Sequence, residues 1–307
     1  MESSQPMSVS TGSQDIPRLT PRRFRVPEWL VTILRNRKAV IGLTILSVFV
    51  FIALFAPQIA RTNTPNRLVA RGHLEPSAEY ILGTTRQGQD MWVQMLYGAR
   101  TTLVIGFLTG TVIIAIATLV GITAGYLGGW VDESLSMLMN IFLVLPGLPL
   151  IIVVAGWLER PGPFTVVLVL SFTSWAYGAR VLRSQTLSLR NSEFVAAARV
   201  AGEPSWRIIL FEILPNMVSL VVSAWIGAVI YAILAEAGLS FIGLGDGNTI
   251  SWGSILYWAQ QNQALLVGAW WTFIPPGICI AMVGLSLTLI NYAIDEITNP
   301  RLKGEGA

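Results

Sequence analysis

Asn191-Ser192-Glu193-Phe194-Val195-Ala196-Ala197-Ala198-Arg199-Val200-Ala201-Gly202-Glu203-Pro204 lies inside a polar interruption, Arg183–Leu210, that separates two membrane-length apolar runs and is followed by Ile213-Leu214-Pro215. The stretch predicts a short helix. Ser192 stands where an N-cap belongs, Glu193 sits near the positive end of the helix dipole, and Gly202 with Pro204 just beyond supplies the stop. Phe194, Ala197, Ala198 and Ala201 recur at helical spacing, so one face is small and apolar and can lie close against another surface, while Glu193 and Arg199 stay in water. The weaker alternative for this stretch taken alone is a surface hairpin joining two spans.

The environment follows from composition. Of 307 residues, 53% are hydrophobic and 12% charged, and the mean hydropathy is +0.62; a soluble domain carries about 25% charge. Charge-free runs extend over Ala39–Ala60, Thr101–Val131, Ser134–Leu158, Pro161–Ala179 and Ile213–Ala235, and a sixth has Trp270–Ile294 as its most helix-like part. Each reaches the length of roughly 20 apolar residues that a helix needs to cross the bilayer. The expectation is an all-α integral membrane protein with six transmembrane helices. Its parts are a basic tail (1–38), a first span (39–60), an outer loop (61–98), a five-helix core (99–294) holding the polar loop 183–210 and an outer segment 239–268, and a final tail (295–307). A cleaved signal peptide is not expected, because 38 mostly polar residues precede the first run and no small-residue cleavage pattern follows it.

Arginine placement sets the expected orientation. Arg18, Arg22, Arg23, Arg25, Arg35, Arg37 and Lys38 resist translocation and hold the N-terminal tail in the cytoplasm. Six spans then bring Asp132-Glu133, the 183–210 loop and the C-terminal tail to that same side, with Arg180, Arg183, Arg190, Arg199 and Arg207 in agreement. The outer loop does carry Arg61, Arg67, Arg71 and Arg86, so the bias is moderate. The net charge of +3 speaks of topology, and a basic tail abutting a span at Ala39 argues against nucleic acid as a partner.

Several chemistries lack their residues. Cys279 is the single cysteine and His73 the single histidine, which leaves no intrachain disulfide and no Cys-based zinc site. The lysines, Lys38 and Lys303, stand in no P-loop setting. No ionisable residue lies mid-membrane as proton- or sodium-coupled carriers require; Glu236 comes nearest and reads as an interfacial carboxylate. The energy must then come from a partner, which a cytoplasmic docking loop would serve. Gly106-x3-Gly110 and Gly121-x3-Gly125 permit close helix approach, to a neighbour that can lie in this chain or in another. Gly128-Gly129 marks a sharp turn before Asp132.

Four ordered motifs resemble those of one family. From the alanines onward, the line AA-x3-G-x12-P with Leu214 before Pro215 resembles the "EAA" loop of ABC importer permeases. Ile81-Leu82-Gly83-Thr84-Thr85-Arg86-Gln87-Gly88-Gln89-Asp90, continuing through Leu96-Tyr97-Gly98-Ala99-Arg100, resembles the "LGTDxxGRD…LxxGAR" stretch of the dipeptide/oligopeptide permeases. Glu236-Ala237-Gly238-Leu239-Ser240-Phe241-Ile242-Gly243-Leu244-Gly245 with Ser251-Trp252-Gly253 resembles the "EAGLSFLGLG…SWG" block of the C-type subunit, and Asn299-Pro300-Arg301-Leu302 its "DPRL" tail. The likeness covers nearly everything from Arg35 to Lys303. Thr85, Gln89 and Ala196 depart from the pattern, where the family has Asp, Arg and Glu; an outer acid–base pair and one coupling-loop charge are thereby lost.

The resemblance implies an ABC importer type I permease fold in a bacterial plasma (inner) membrane, with both termini cytoplasmic. It implies a second homologous permease, of B type, two ATPase subunits that hold ATP and magnesium, and an extracytoplasmic substrate-binding protein. This chain would carry no cofactor or catalytic residue of its own. Glu193, Phe194, Ala197, Ala198, Gly202 and Pro215 would couple it to the ATPase: Gly202 for the turn, Ala197 and Ala198 for close approach, Pro215 for ending the loop and starting the fifth span. The substrates implied are di- and oligopeptides, with nickel chelates, glutathione or another small solute as alternatives. In the outer segment Trp252, Tyr257 and Trp258 are expected at the lipid headgroups, and Pro275-Pro276 should bend or open the start of the last span. A six-span channel is the rival class, opposed by the docking loop and by the lack of a filter signature. An intramembrane enzyme is opposed by the scatter of Asn140, Ser171, Ser174 and Asn291, which suit helix–helix hydrogen bonding.

Overall fold

A computed structural model describes residues 35–62, 64–157, 162–245 and 249–298. The two tails beyond these, most of the basic cluster and the "DPRL"-like end included, lie outside the described residues. Apolar sequence in a bilayer must pair its own backbone groups, and a helix does so within one segment. The described chain is accordingly helical: α1 (Arg37–Ala60), α2 (Met91–Leu127), α3 (Gly129–Val144), α4 (Gly147–Gly156), α5 (Pro163–Leu189), α6 (Glu193–Val200), α7 (Val218–Phe241), α8 (Trp252–Gln261) and α9 (Ile274–Thr298). Among the described residues, five helices are long and apolar enough to cross a membrane, over Arg37–Ala60, Met91–Leu127, Pro163–Leu189, Val218–Phe241 and Trp270–Glu296.

The third apolar run, expected as one helix over Ser134–Leu158, is delivered in two pieces. Leu145 is extended (φ −67°, ψ 130°) between α3 and α4, because a residue before proline is pushed out of the α region and Pro146 follows it. The broken pair still carries the chain across. Gly121 packs on Ala179, and Gly125 on Arg183 and Thr186, so residue numbers rise together along α2 and α5 and the two helices run parallel. A chain that leaves α2 at its end and enters the parallel α5 at its beginning must return through the bundle between them, and α3 with α4 is that return. Among the described residues, five continuous helices and one broken one make six crossings.

α2 is the axis of the bundle. At 37 residues and ~1.5 Å per residue it greatly exceeds the hydrocarbon thickness. It begins at Met91 behind the N-cap Asp90, whose carboxylate accepts from the Trp92 amide. Residues 91–98, placed in the outer loop on sequence grounds, are thus its first two turns. Its glycines seat neighbours from this same chain. A Cβ on Gly110 would lie 2.8 Å from the Val229 amide nitrogen, and one on Gly106 2.3 Å from Ile233, both on the antiparallel α7; the second pair receives α5. α9 runs antiparallel to α1, with Gly42 against the Ser286 carbonyl and Asn36 donating to Glu296 at 3.0 Å.

Other boundaries depart from the hydropathy runs. The fifth crossing starts at Val218, after Met217 breaks the helical path (φ −110°, ψ 1°). Pro275 and Pro276 sit in the opening turn of α9, behind a separate 3-10 turn over Trp270–Thr272. They therefore start this helix rather than bend it, as suits residues without an amide hydrogen. Trp252 is no headgroup anchor: it is fully buried, stacks edge-on to Phe49, and donates its indole N–H to the Met95 carbonyl at 3.2 Å. An indole buried this deep needs such a partner.

Candidate functional site

One face of the bundle gathers the start of α1, the ends of α2, α5 and α9, the start of α7, and α6. Ser223 at the start of α7 donates to Asp295 near the end of α9 at 2.8 Å, and Arg199 of α6 lies 5.1 Å over the ring of Tyr126 at the end of α2. The loop 64–90 and α8 lie on the opposite face, against the first turns of α2, where Gln94 donates to the Pro65 carbonyl and Trp252 to that of Met95.

α6 is capped as its sequence suggests at one end and differently at the other. At its C-terminus the Gly202 amide donates to Arg199 and the Glu203 amide to Ala198, with Gly202 at φ +81°. This is a Schellman closure, which needs a left-handed residue at that position. At its N-terminus Ser192 occupies the cap, yet its hydroxyl donates to the Leu189 carbonyl at 2.6 Å instead of accepting from the helix amides. Ser192 therefore ties α6 back to α5.

The helix is anchored by Val195, which is fully buried among Ile208, Ile213 and Met217. Ala198 is half-buried toward the same cluster, while Glu193, Phe194, Ala197 and Ala201 are exposed. Of the small apolar stripe, then, Ala198 faces the protein's own core and the rest faces outward. The open surface also has members the sequence reading passed over: Val200 is 90% exposed and Trp206 60%, with Phe211 beside Trp206 at 6.5 Å between ring centroids. The signal for them was local. Val200 and Trp206 flank the glycine stop, where an apolar residue has no core to enter.

Pro215 follows a π-helical turn, Ile208–Ile213, and lies in the short turn Leu214–Asn216. A proline cannot donate and crowds the carbonyl four residues earlier; a wider turn in front of it relieves that crowding, and such turns recur at functional sites. Pro215 separates α6 and its following turn from α7 without belonging to α7.

The same face is bolted to the broken crossing. Arg183 of α5 donates from Nε and Nη2 to the two oxygens of Asp132 in α3, at 2.5 and 2.7 Å, and Arg180 donates to Asn140. A bidentate pair of this kind is strong and fixes geometry. Sequence reading placed these charges on one side without pairing them, since their separation of 51 positions carries no local pattern.

Between α2, α3, α5 and α7 lies a cavity of about 580 Å³ lined by Phe142, Thr173, Ser174, Tyr177, Gly227 and Tyr231, among others. Tyr177 is 72% exposed, and the Ser174 hydroxyl donates to the Tyr231 hydroxyl at 3.0 Å. Glu236 is 2% exposed, and Ser240 and Ser251 both donate to its Oε1, at 2.8 and 2.7 Å. Because Ser251 is also the N-cap of α8, this carboxylate joins α7 to the outer helix.

The family described as "Binding-protein-dependent transport system inner membrane component" matches residues 117–304, which takes in the broken crossing, α5, α6 and everything after. The chain belongs to this family of ABC importer permeases. A second family, described as the N-terminal TM domain of oligopeptide transport permease C, matches residues 29–76 of this permease. Its relatives include the dipeptide transport system permease protein of Alkalihalophilus pseudofirmus, 34% identical over 88% of each chain. The oligopeptide transport system permease protein of Bacillus subtilis is 30% identical over 87% of each. Among solved structures, an inward-facing MetNI methionine ABC transporter chain aligns with a TM-score of 0.55 and 18% identity, over 67% of this permease and 95% of that chain. That similarity bears on fold alone. The permease is a multi-pass membrane transport subunit of the dipeptide/oligopeptide C-type group, as its four motifs suggested.

Proposed function

We propose that this permease forms one half of the translocation pathway of an ATP-driven peptide importer, and that α6 with the turn after it is the element an ATPase subunit grips. The observation that carries the reading is the exposed apolar surface of Phe194, Ala197 and Val200 on a helix whose inner face is held by Val195, continued by Trp206 in the turn after it. A surface patch of this kind on a rigid mount marks a protein partner. The assembly comprises a second homologous permease, two ATPase subunits holding ATP and magnesium, and an extracytoplasmic binding protein. The α6 face is cytoplasmic, as are both termini, in a bacterial plasma membrane. Peptide cargo is supported by the relatives, which are named as dipeptide and oligopeptide permeases.

Coupling follows from the mounting. ATP binding draws the ATPase pair together, α6 moves with its socket, and Val195 transmits the displacement to α5 and to the turn before α7. The α3/α4 break and the Asp132–Arg183 bolt make the broken crossing follow α5. The wall of Ser174, Tyr177 and Tyr231 then faces alternately outward and inward, offering a passing peptide hydroxyl groups and aromatic surface. Phe194→Asp and Val200→Asp test this directly. Both positions are exposed, so each variant should insert and co-purify with the second permease in mild detergent while losing most of its ATPase subunits. Undiminished ATPase recovery in both would overturn the docking assignment.

A further inference from the structure

On the face opposite α6, the loop 64–90 folds over the first turns of α2 and against α8. A cavity of about 340 Å³ lies between them, within the size range of small-ligand sites, which starts near ~300 Å³. Its walls are built rather than draped. The buried Thr84 hydroxyl donates to the Arg71 carbonyl at 2.8 Å and accepts from the Leu74 amide at 2.9 Å, while Trp271 donates to the Thr84 carbonyl at 3.1 Å. A Cβ at Gly72 would stand 2.0 Å from the Arg86 carbonyl oxygen, and one at Gly88 2.0 Å from that of Ala70. The backbone that presents Arg86 is thereby locked on both sides.

The charge of the cavity is one-sided. Arg86 and His73 line it, and among the described residues no aspartate or glutamate does. Where the family pattern has an acid–base pair, Thr85 and Gln89 form a neutral net: the Thr85 hydroxyl and the Gln94 side-chain amide both donate to Gln89 Oε1, each at 3.4 Å, and Gln94 donates also to the Pro65 carbonyl at 2.9 Å. Arg86 itself makes no ion pair among the described residues. Burial, and then the Arg86 charge, hold the His73 imidazole below its ordinary pKa, so near neutral pH it adds a neutral ring. Its Nδ1 is buried without a hydrogen-bond partner. The side-chain amides of Gln87 and Asn262 also line the cavity, and Met91, Ile255 and Trp258 supply apolar wall.

An unpaired guanidinium beside uncommitted amides and an apolar wall selects an anion of planar, two-oxygen geometry carried on an organic chain. We propose that this cavity is a peptide-carboxylate site, in which Arg86 receives the C-terminal carboxylate of a short peptide. The site rests on the peptide reading above for the identity of the chain that bears the carboxylate. It lies on the face where the binding protein would release its cargo, outside the cavity walled by Tyr177 and Tyr231.

The test uses the full-length chain in lipid nanodiscs and equilibrium dialysis with radiolabelled tri-alanine, N-acetyl-tri-alanine and tri-alanine amide. The two free acids should bind, and the amide should bind at least tenfold more weakly. Arg86→Gln should weaken the acids at least tenfold and leave the amide unchanged. Gln87→Glu, which adds a competing carboxylate at the cavity wall, should do the same. Both positions are exposed, and unchanged size-exclusion profiles and melting midpoints will show that the scaffold persists. Equal binding of acid and amide, or indifference to both substitutions, would overturn the site. Uptake of tri-alanine by the assembled importer in proteoliposomes keeps the two readings apart. Uptake together with Arg86-independent binding removes the site and leaves the peptide importer standing. Absence of uptake with a persistent preference for acid over amide removes the peptide importer and leaves the carboxylate site.

Discussion

Gly202 is the residue at which local geometry bears on the proposed coupling. Its φ of +81° closes α6, yet a Cβ there would meet nothing within 4 Å, so backbone conformation and not space constrains the position. An L-residue held in the left-handed region costs roughly 1–2 kcal/mol, and asparagine tolerates it best. Gly202→Asn should therefore keep most of the ATP-dependent uptake of the assembled importer. Gly202→Val should lose most of it, with little shift in the melting midpoint of the bundle, because the strain sits in an exposed turn. Equal uptake by the two variants would mean that the Schellman closure is dispensable. The glycine stop was legible because capping chemistry is local in sequence. The Ser192 hydroxyl bond to Leu189 was not, since a serine at a cap position can turn its hydroxyl to the preceding helix with no change in pattern. Thr85 and Gln89 could be seen to remove a charge pair, while the neutral net they join depends on Gln94 and Pro65, brought in only by the folded loop.

At the scale of elements, the small residues of α2 decide how the bundle closes. The small-x3-small repeats announced close helix contacts, and the structure assigns them to α7 and α5 of the same chain. A Cβ on Gly121 would lie 2.4 Å from the Ala179 carbonyl oxygen, a backbone atom that cannot turn aside. Gly121→Leu should force α2 and α5 apart. Overpacking costs about 1–3 kcal/mol where side chains can adjust, and more is expected against backbone. The expected result is a sharp loss of folded protein, read as the monodisperse fraction after solubilisation. Gly227→Leu, at a glycine with nothing within 4 Å, should leave that fraction near the parent's. Hydropathy located these helices well and bounded them less well. It counts apolar residues, so it missed that α2 starts ten residues before the charge-free run and carries Arg100 inside it, and it read straight through the Leu145-Pro146 break.

For the whole molecule, the number of crossings turns on that break. Parallel α2 and α5 demand a return path, and α3 and α4 supply one only if the turn after α4 emerges on the face of α8, opposite α6. Trp157, immediately after α4 and 85% exposed, marks that turn. In a Cys279→Ser background, which removes the single cysteine, Trp157→Cys in right-side-out membrane vesicles should react with a membrane-impermeant maleimide as Glu75→Cys does. Glu193→Cys should react only after the vesicles are opened. Were α3 and α4 to fold back without crossing, Trp157→Cys would instead follow Glu193→Cys. The pairing of Asn36 with Glu296 and of Ser223 with Asp295 ties the described start and end of the chain to the α6 face independently of this turn. A Trp157 label from the α6 side would therefore contradict the parallel packing of α2 on α5 itself, and with it the route proposed for carrying motion of α6 to the Tyr177 wall.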